Sequence, residues 1–419
     1  MVMARRNLCR GNSAPPCENP DVNCNNNFQP KSHDSYSRTE RLFKPRYRVA
    51  SGKIVSYADT RSRGGPMNAP RYAADQLVTY ATRLLSAVGL ASTHAETVAR
   101  TLVDGDLLGH DTHGLALLPG YLGALETGTM CKEGEPEVVS DRPASLLWDG
   151  RRLPGPSLVH RGIDALLPRA REYGSATLVI RRSHHIACLA AYLLRATEAG
   201  FVMMISSSDP SVQSVAPFGG TRAVFTPNPI AIGVPTSETP FLIDISSSVT
   251  TNAMTARRHK EGAQFAEEWL LDAQGNATRE PGVLFDNPPG TILPLGGLAA
   301  GHKGFGLAVL IEALTSGLAG FGRADPSEGW GATVFMTLYD PAAFSGADQF
   351  KRQMDWLADA CRNNPPRPDV ERVRMPGDGG MARLREQMSK GVRLHRTIQP
   401  ALEVYGARYK LGFPSALPV

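Results

Sequence analysis

The chain has 419 residues, with 45 Lys and Arg against 40 Asp and Glu, 42% hydrophobic residues and six cysteines. That is more chain than one average core requires, so one large domain or two interlocked ones are expected. Six cysteines over this length are no disulfide framework, and no run of 18 apolar residues suits a membrane span. The basic start, Met1–Arg10, has no apolar stretch behind it, which argues against a secretory signal and points to the cytoplasm.

Residues 1–66 are a different polymer. They hold twelve Lys and Arg against five acidic residues, a charge of +7 that leaves −2 for the rest of a chain whose total is +5. The stretch is rich in Asn, poor in aliphatics and without sustained periodicity, so a disordered extension is expected. Cys9, Cys17 and Cys24 match no metal-knuckle spacing, and the scattered charges make a nucleic-acid tail a poor reading. Met67 is the simpler start for the folded protein.

From residue 67 to 175 a helical portion is expected. Leu77, Tyr80, Ala81, Leu84, Leu85 and Val88 keep a helical period up to Gly89, and Thr93-x-x-Glu96 reads as a capping box opening a second helix to about Leu108. Gly109-His110-Asp111-Thr112-His113-Gly114 follows directly, and a helical pattern resumes over Leu115–Leu125. Residues 176–345 change to α/β. The apolar runs Ala176–Ile180 and Phe201–Ile205 bracket a helix over Ile186–Ala199, with Ser183-His184-His185 at the first junction and Cys188 inside the helix. Strands are expected at Ala231–Val234, Phe241–Ile245 and Thr333–Tyr339, and a long apolar helix over Gly304–Leu318. Polar helices near Asp348–Arg362 and Gly379–Lys390 make residues 346–419 a C-terminal helical segment packed on the body.

Histidine titrates nearest neutrality, so two histidine-bearing turns on one scaffold are the first place to seek proton transfer. The same histidines are also metal-ligand types, which leaves a metal-dependent hydrolase or lyase as the alternative, although no recognised ligand spacing is present. Neither G-x-G-x-x-G after a strand nor G-x-x-x-x-G-K-[ST] occurs, so the ordinary Rossmann and P-loop sites fail. What stands in their place is a glycine-rich loop, Leu295–Gly306, running into a helix with Lys303 beside it, a combination suited to a phosphate.

Six ordered motifs carry a resemblance. The His113 turn resembles the D-[ST]-H-G motif of the type-2 malate/L-lactate dehydrogenase family, and Ser183-His184-His185 resembles its S-x-H segment. Ala216–Gly220, Asn228–Ala231, Leu242–Asp244 and Leu293–Gly306 follow in the family's order. The resemblance covers about residues 70–410. It implies a mixed α/β, non-Rossmann NAD(P)-binding fold, a homodimer, and hydride transfer between NAD or NADP and a small 2-hydroxy or 2-oxo acid. It implies that His113, His185 and Tyr121 are catalytic, with His185 as the acid/base and His113 orienting the substrate, or the reverse. It further implies that Ser208, Asp244, Ile245, Ser246, Ser247, Ser248, Glu268, Trp269, His302, Lys303 and Gly304 contact the dinucleotide. One departure stands out: Leu117 occupies the position of a substrate-holding arginine in many members, which turns attention to Arg182 or Arg257.

Overall fold

In the computed structural model the described residues are 70–326 and 329–418, so the expectations for residues 1–66 lie outside them. Strand β1 (Arg71–Tyr72) leads into helix α1 (Ala74–Ala87), which buries Leu77, Tyr80, Ala81, Leu84 and Leu85, as its period requires. Helix α2 (Ser92–Leu107) follows, but the capping box is not made. Ala91 is the N-cap, Thr93 lies inside the helix, and Glu96 pairs with Arg100 one turn on. A short 3-10 turn, Leu115–Leu117, then enters α3 (Leu118–Thr127), closed by Gly128 at φ +76°.

The hairpin β2 (Glu137–Arg142) and β3 (Ser145–Asp149) and the 19-residue helix α4 (Gly155–Tyr173) have no counterpart in the sequence reading. Pro154, Pro156 and Pro168 obscure α4, although two of them sit at its start, where proline is tolerated. Then come β4 (Ser175–Ser183), α5 (Ala190–Glu198), β5 (Val202–Ser208), β6 (Pro229–Val234) and β7 (Phe241–Ser246). Helix α5 begins four residues later than its apolar pattern suggests. Ala187 holds φ +57°, which no helix accepts, and Cys188 therefore precedes the helix.

Strands β4 and β5 are not neighbours. Strand β11 (Ala332–Tyr339) inserts between them, antiparallel to both, in a seven-stranded sheet of order β2-β3-β4-β11-β5-β6-β7. Its seven buried residues, Ala332–Leu338, suit a central strand covered on both faces. Beyond β7 lie α6 (Asn252–Lys260) and a small sheet of β8 (Leu270–Leu271), β9 (Ala277–Thr278) and β10 (Thr291–Ile292). They enclose a second core of Val215, Phe225, Phe265, Leu270, Val283, Ile292 and Ala308.

The glycine-rich stretch is not a loop before a helix; it is the start of α7 (Gly297–Glu312). Gly296 at φ +100° turns the chain, Leu298-Ala299-Ala300 form a first helical turn, and a kink at Ala300 separates it from the rest. A π-turn over Ala313–Gly317 prolongs α7 to 21 residues, a helix long and apolar enough to cross a membrane by length and composition only. Helices α8 (Ala347–Arg362) and α9 (Asp378–Lys390), strand β12 (Val392–Arg393) and α10 (Ile398–Arg408) complete the chain. Pairing of β12 with β1 returns the C-terminal segment to the first helices.

The end of β3 carries a buried charge. Asp149, fully buried, accepts from Arg181 Nε at 2.9 Å, from Arg182 and from the Arg151 N–H at 3.0 Å. Burial works to raise its carboxyl pKa, but these donors outweigh it and hold the group below the usual aspartate value. Asp149→Ala removes a buried acceptor shared by two partly exposed guanidinium groups and is expected to cost about 1–3 kcal/mol in denaturant titration at pH 7. Because the folded pKa is depressed, the native pair's contribution is present above about pH 4 and fades as pH falls further.

Candidate active site

The turn after α2 is built on a buried carboxyl group. Asp106 Oδ2 accepts the Leu115 N–H at 2.8 Å, and a Cβ on Gly114 would collide with the same carboxyl, so only glycine fits there. Gln387 of α9 donates to the carbonyls of Asp106 and Leu107, at 2.8 and 3.0 Å. On the other side Arg257 of α6 reaches Asp111, through Nη1 to Oδ1 and Nη2 to the carbonyl oxygen, both at 2.9 Å. The turn is clamped between α2, α6 and α9. Within it, His113 Nδ1 lies 2.8 Å from the Thr112 hydroxyl.

The second histidine comes from the irregular segment between β4 and α5. His185 Nδ1 accepts the Ala187 N–H at 3.1 Å, which leaves the neutral ring's proton on Nε2. The Tyr121 hydroxyl of α3 donates to the His185 carbonyl at 2.9 Å and lies 3.0 Å from Nδ1. The rings of His113 and His185 stand nearly parallel with centroids 6.2 Å apart. Trp330, which the sequence reading passed over, completes the enclosure with its ring 5.3 Å from that of His185. Gly155 makes room at the start of α4, since a Cβ there would strike the His184 and His185 carbonyls.

Desolvation dominates this pocket. Burial, reinforced by His113 and His184, pushes the His185 pKa down to about 3. His113 is lowered too, by burial first and by His110 and Arg257, but Asp244 and Asp111 pull the other way. The Tyr121 hydroxyl is raised by burial and stays protonated. His184 is buried against Tyr121 and Trp330 with neither ring nitrogen hydrogen-bonded among the described residues, and burial takes it to about 4.

The segments expected to hold a dinucleotide converge. Leu295 N–H bonds the Ser247 carbonyl at 2.8 Å, Val249 N–H bonds Leu293 at 3.0 Å, and Leu293 N–H bonds Trp269 at 3.0 Å. Ser246, Ser247 and Ser248 turn their hydroxyls to nearby carbonyls, Ile245 and Glu268 are exposed, and Trp269 packs on Phe265. His302 and Lys303 are exposed in the turn after the α7 kink, while buried Gly304 seats that turn on Leu295. Ser208 differs: its buried hydroxyl donates to Glu312 at 2.7 Å, in a network with Asn228 and Arg323. Asp244 lies on the other side, accepting the Ala190 N–H at 2.9 Å. Arg182 is committed to Asp149 and Arg257 to Asp111, so each alternative cation already holds a carboxylate.

The model of the malate/L-lactate dehydrogenase family matches residues 72–403. The chain belongs to that family. It is 32% identical over 336 residues to the (2R)-3-sulfolactate dehydrogenase (NADP(+)) of Chromohalobacter salexigens, a match spanning 78% of this chain and 95% of that protein. It is 30% identical to the L-lactate dehydrogenase of Cupriavidus necator over 80% of this chain and 96% of that one. Among solved structures, the malate dehydrogenase of Pyrococcus horikoshii superposes with a TM-score of 0.75 at 25% identity, covering 84% of this chain and 98% of that one. Family membership gives the mixed α/β expectation its footing and leaves the hydrolase alternative without support.

The lowered histidine values carry a pH signature. Above pH 6.5 His184 is neutral in both the folded and unfolded states. Between 6.5 and about 4 only the unfolded chain takes up the proton, so stability falls as pH falls. Each such group contributes about 1.4 kcal/mol per pH unit in that window. Denaturant titrations at pH 6.5, 5.5 and 4.5 should show His184→Asn with a slope shallower by that amount. An unchanged slope would mean that His184 is protonated in the native state.

Proposed function

We propose that this protein is an NAD(P)-dependent oxidoreductase that interconverts a small 2-hydroxy acid and its 2-oxo acid. The observation that carries this reading is the pair of desolvated imidazoles, His113 and His185, held beside a phenol and an enclosing indole. When bound, the nicotinamide supplies or accepts the hydride. The residues present fit a dinucleotide: exposed Lys303 follows the α7 kink, next to the joined segments Ser246–Ser248 and Leu293–Leu295.

We infer opposite roles for the two histidines. His185, at about 3, stays neutral at working pH and suits a fixed Nε2–H donor that polarises the substrate oxygen. Burial lowers His113 as well, but Asp244 favours its charged form, which supports His113 as the acid/base. Tyr121 locks the His185 ring and is a positioning residue. Of the two role assignments that the resemblance leaves open, this reading takes the one with His113 as the acid/base.

A homodimer and a cytoplasmic setting complete the proposal. Leu298, Val309, Leu310 and Leu318 are each about half exposed along α7 and its π-turn, an apolar face suited to a second copy. Cys131, Cys188 and Cys361 are free thiols, in keeping with a reducing compartment.

With NADH or NADPH and a panel of 2-oxo acids, His113→Asn is expected to lower kcat by roughly 10²-fold or more. Full activity in both His113→Asn and His185→Asn would overturn the assignment. Lys303→Ala should weaken dinucleotide binding roughly five- to 150-fold, the loss of about 1–3 kcal/mol, with kcat at saturation changing far less. Fluorescence titration of the cofactor distinguishes that outcome from a solvated lysine, which would leave affinity unchanged.

A further inference from the structure

Beside the histidine pair, three side chains of different donor type meet from three segments. They are His110 of the turn after α2, Cys188 of the segment before α5, and Asp244 of β7. One ligand-type atom from each lies within 4.8 Å of the others. Among the described residues Asp244 accepts on Oδ2 alone, from Ala190 N–H at 2.9 Å and from the Cys188 thiol at 3.8 Å. The His110 ring makes no hydrogen bond to another described residue. His110 and Asp244 also line a cavity of about 140 Å³, together with Gly109, Ala190, Leu242 and Arg383.

We propose that His110, Cys188 and Asp244 form a site for a thiophilic divalent cation of the zinc type. Bonds of about 2.0–2.3 Å in a tetrahedron put ligand atoms between three and four ångströms apart, so a modest closure of the trio completes three corners. The cavity has room for a water at the fourth, since a water occupies about 30 Å³. One nitrogen, one sulfur and one oxygen donor favour zinc or cobalt over magnesium or calcium, which prefer oxygen cages. On binding, the S–metal bond forms as the thiol S–H gives its proton to solvent, and no electron changes hands. Because the thiol must lose its proton to bind, binding strengthens as pH rises. Arg383 lines the same cavity and its charge opposes the ion, which suits a reversible ligand.

The readout is metal binding, which does not depend on the dehydrogenase reading. The full chain, chelator-treated and kept reduced, is titrated with Co²⁺ and followed by absorption. The expected result is one Co²⁺ per chain, with a thiolate-to-cobalt charge-transfer band that Cys188→Ser abolishes. Zn²⁺ affinity, measured against a chromogenic chelator, should fall at least about tenfold in Cys188→Ser and also in His110→Ala, which keeps the buried thiol. A band that survives Cys188→Ser belongs to the chain's other cysteines and overturns the proposal. So does an affinity that neither substitution changes.

Discussion

A carboxyl group out of water fixes the position of His113. Asp106 is buried beneath the turn, where one oxygen takes the Leu115 N–H and the group fills the space a side chain at Gly114 would need. Burial lifts its pKa to about 7, with the Leu115 hydrogen bond working against the shift. Such a group is costly to bury and survives because the surrounding structure specifies its partner. The turn it supports is also tied to α6 through Arg257 and to α9 through Gln387. Elements far apart in sequence therefore converge on one short segment.

The second histidine depends on the sheet. β11 enters between β4 and β5 from well over a hundred residues downstream of β4, and Trp330, just before it, closes over His184 and His185. The irregular segment after β4 is held open by Ala187 at φ +57° and by Gly155 opposite. Burial disfavours a proton on both imidazoles, and on His185 the neighbouring His113 adds to the effect. What separates them is Asp244, which favours the protonated form of His113.

Much of this was legible in the chain. The i, i+3, i+4 spacing of Leu77 to Leu85 marked α1, and the apolar runs marked β4, β5, β6, β7 and β11 because buried strands have few polar positions. The histidine turns stood out as motifs. Other features depend on contacts that no local pattern contains. Thr93 and Glu96 fit a capping box, yet Ala91 takes the cap, and a run of apolar residues from Ile186 conceals a left-handed residue at Ala187. Asp106 and Trp330 resemble an ordinary helix charge and a loop aromatic until the fold places them beside the histidines. Gly-rich Leu295–Gly306 reads as a loop, but its Leu-Ala-Ala center has the propensity to make a helical turn.

If the His113–His185 pocket serves the proposed reaction, hydride passes directly from the nicotinamide to the C2 carbon of an oxo acid. The most direct test of that transfer uses reduced nicotinamide dinucleotide carrying deuterium at C4, on one face in one sample and on the other face in a second. Each is turned over with the best 2-oxo acid found, and the product is analysed by mass spectrometry and NMR. The account predicts one deuterium at C2 of a single product enantiomer from one of the two labelled faces. Product without label from either face, or label lost to water, would contradict it.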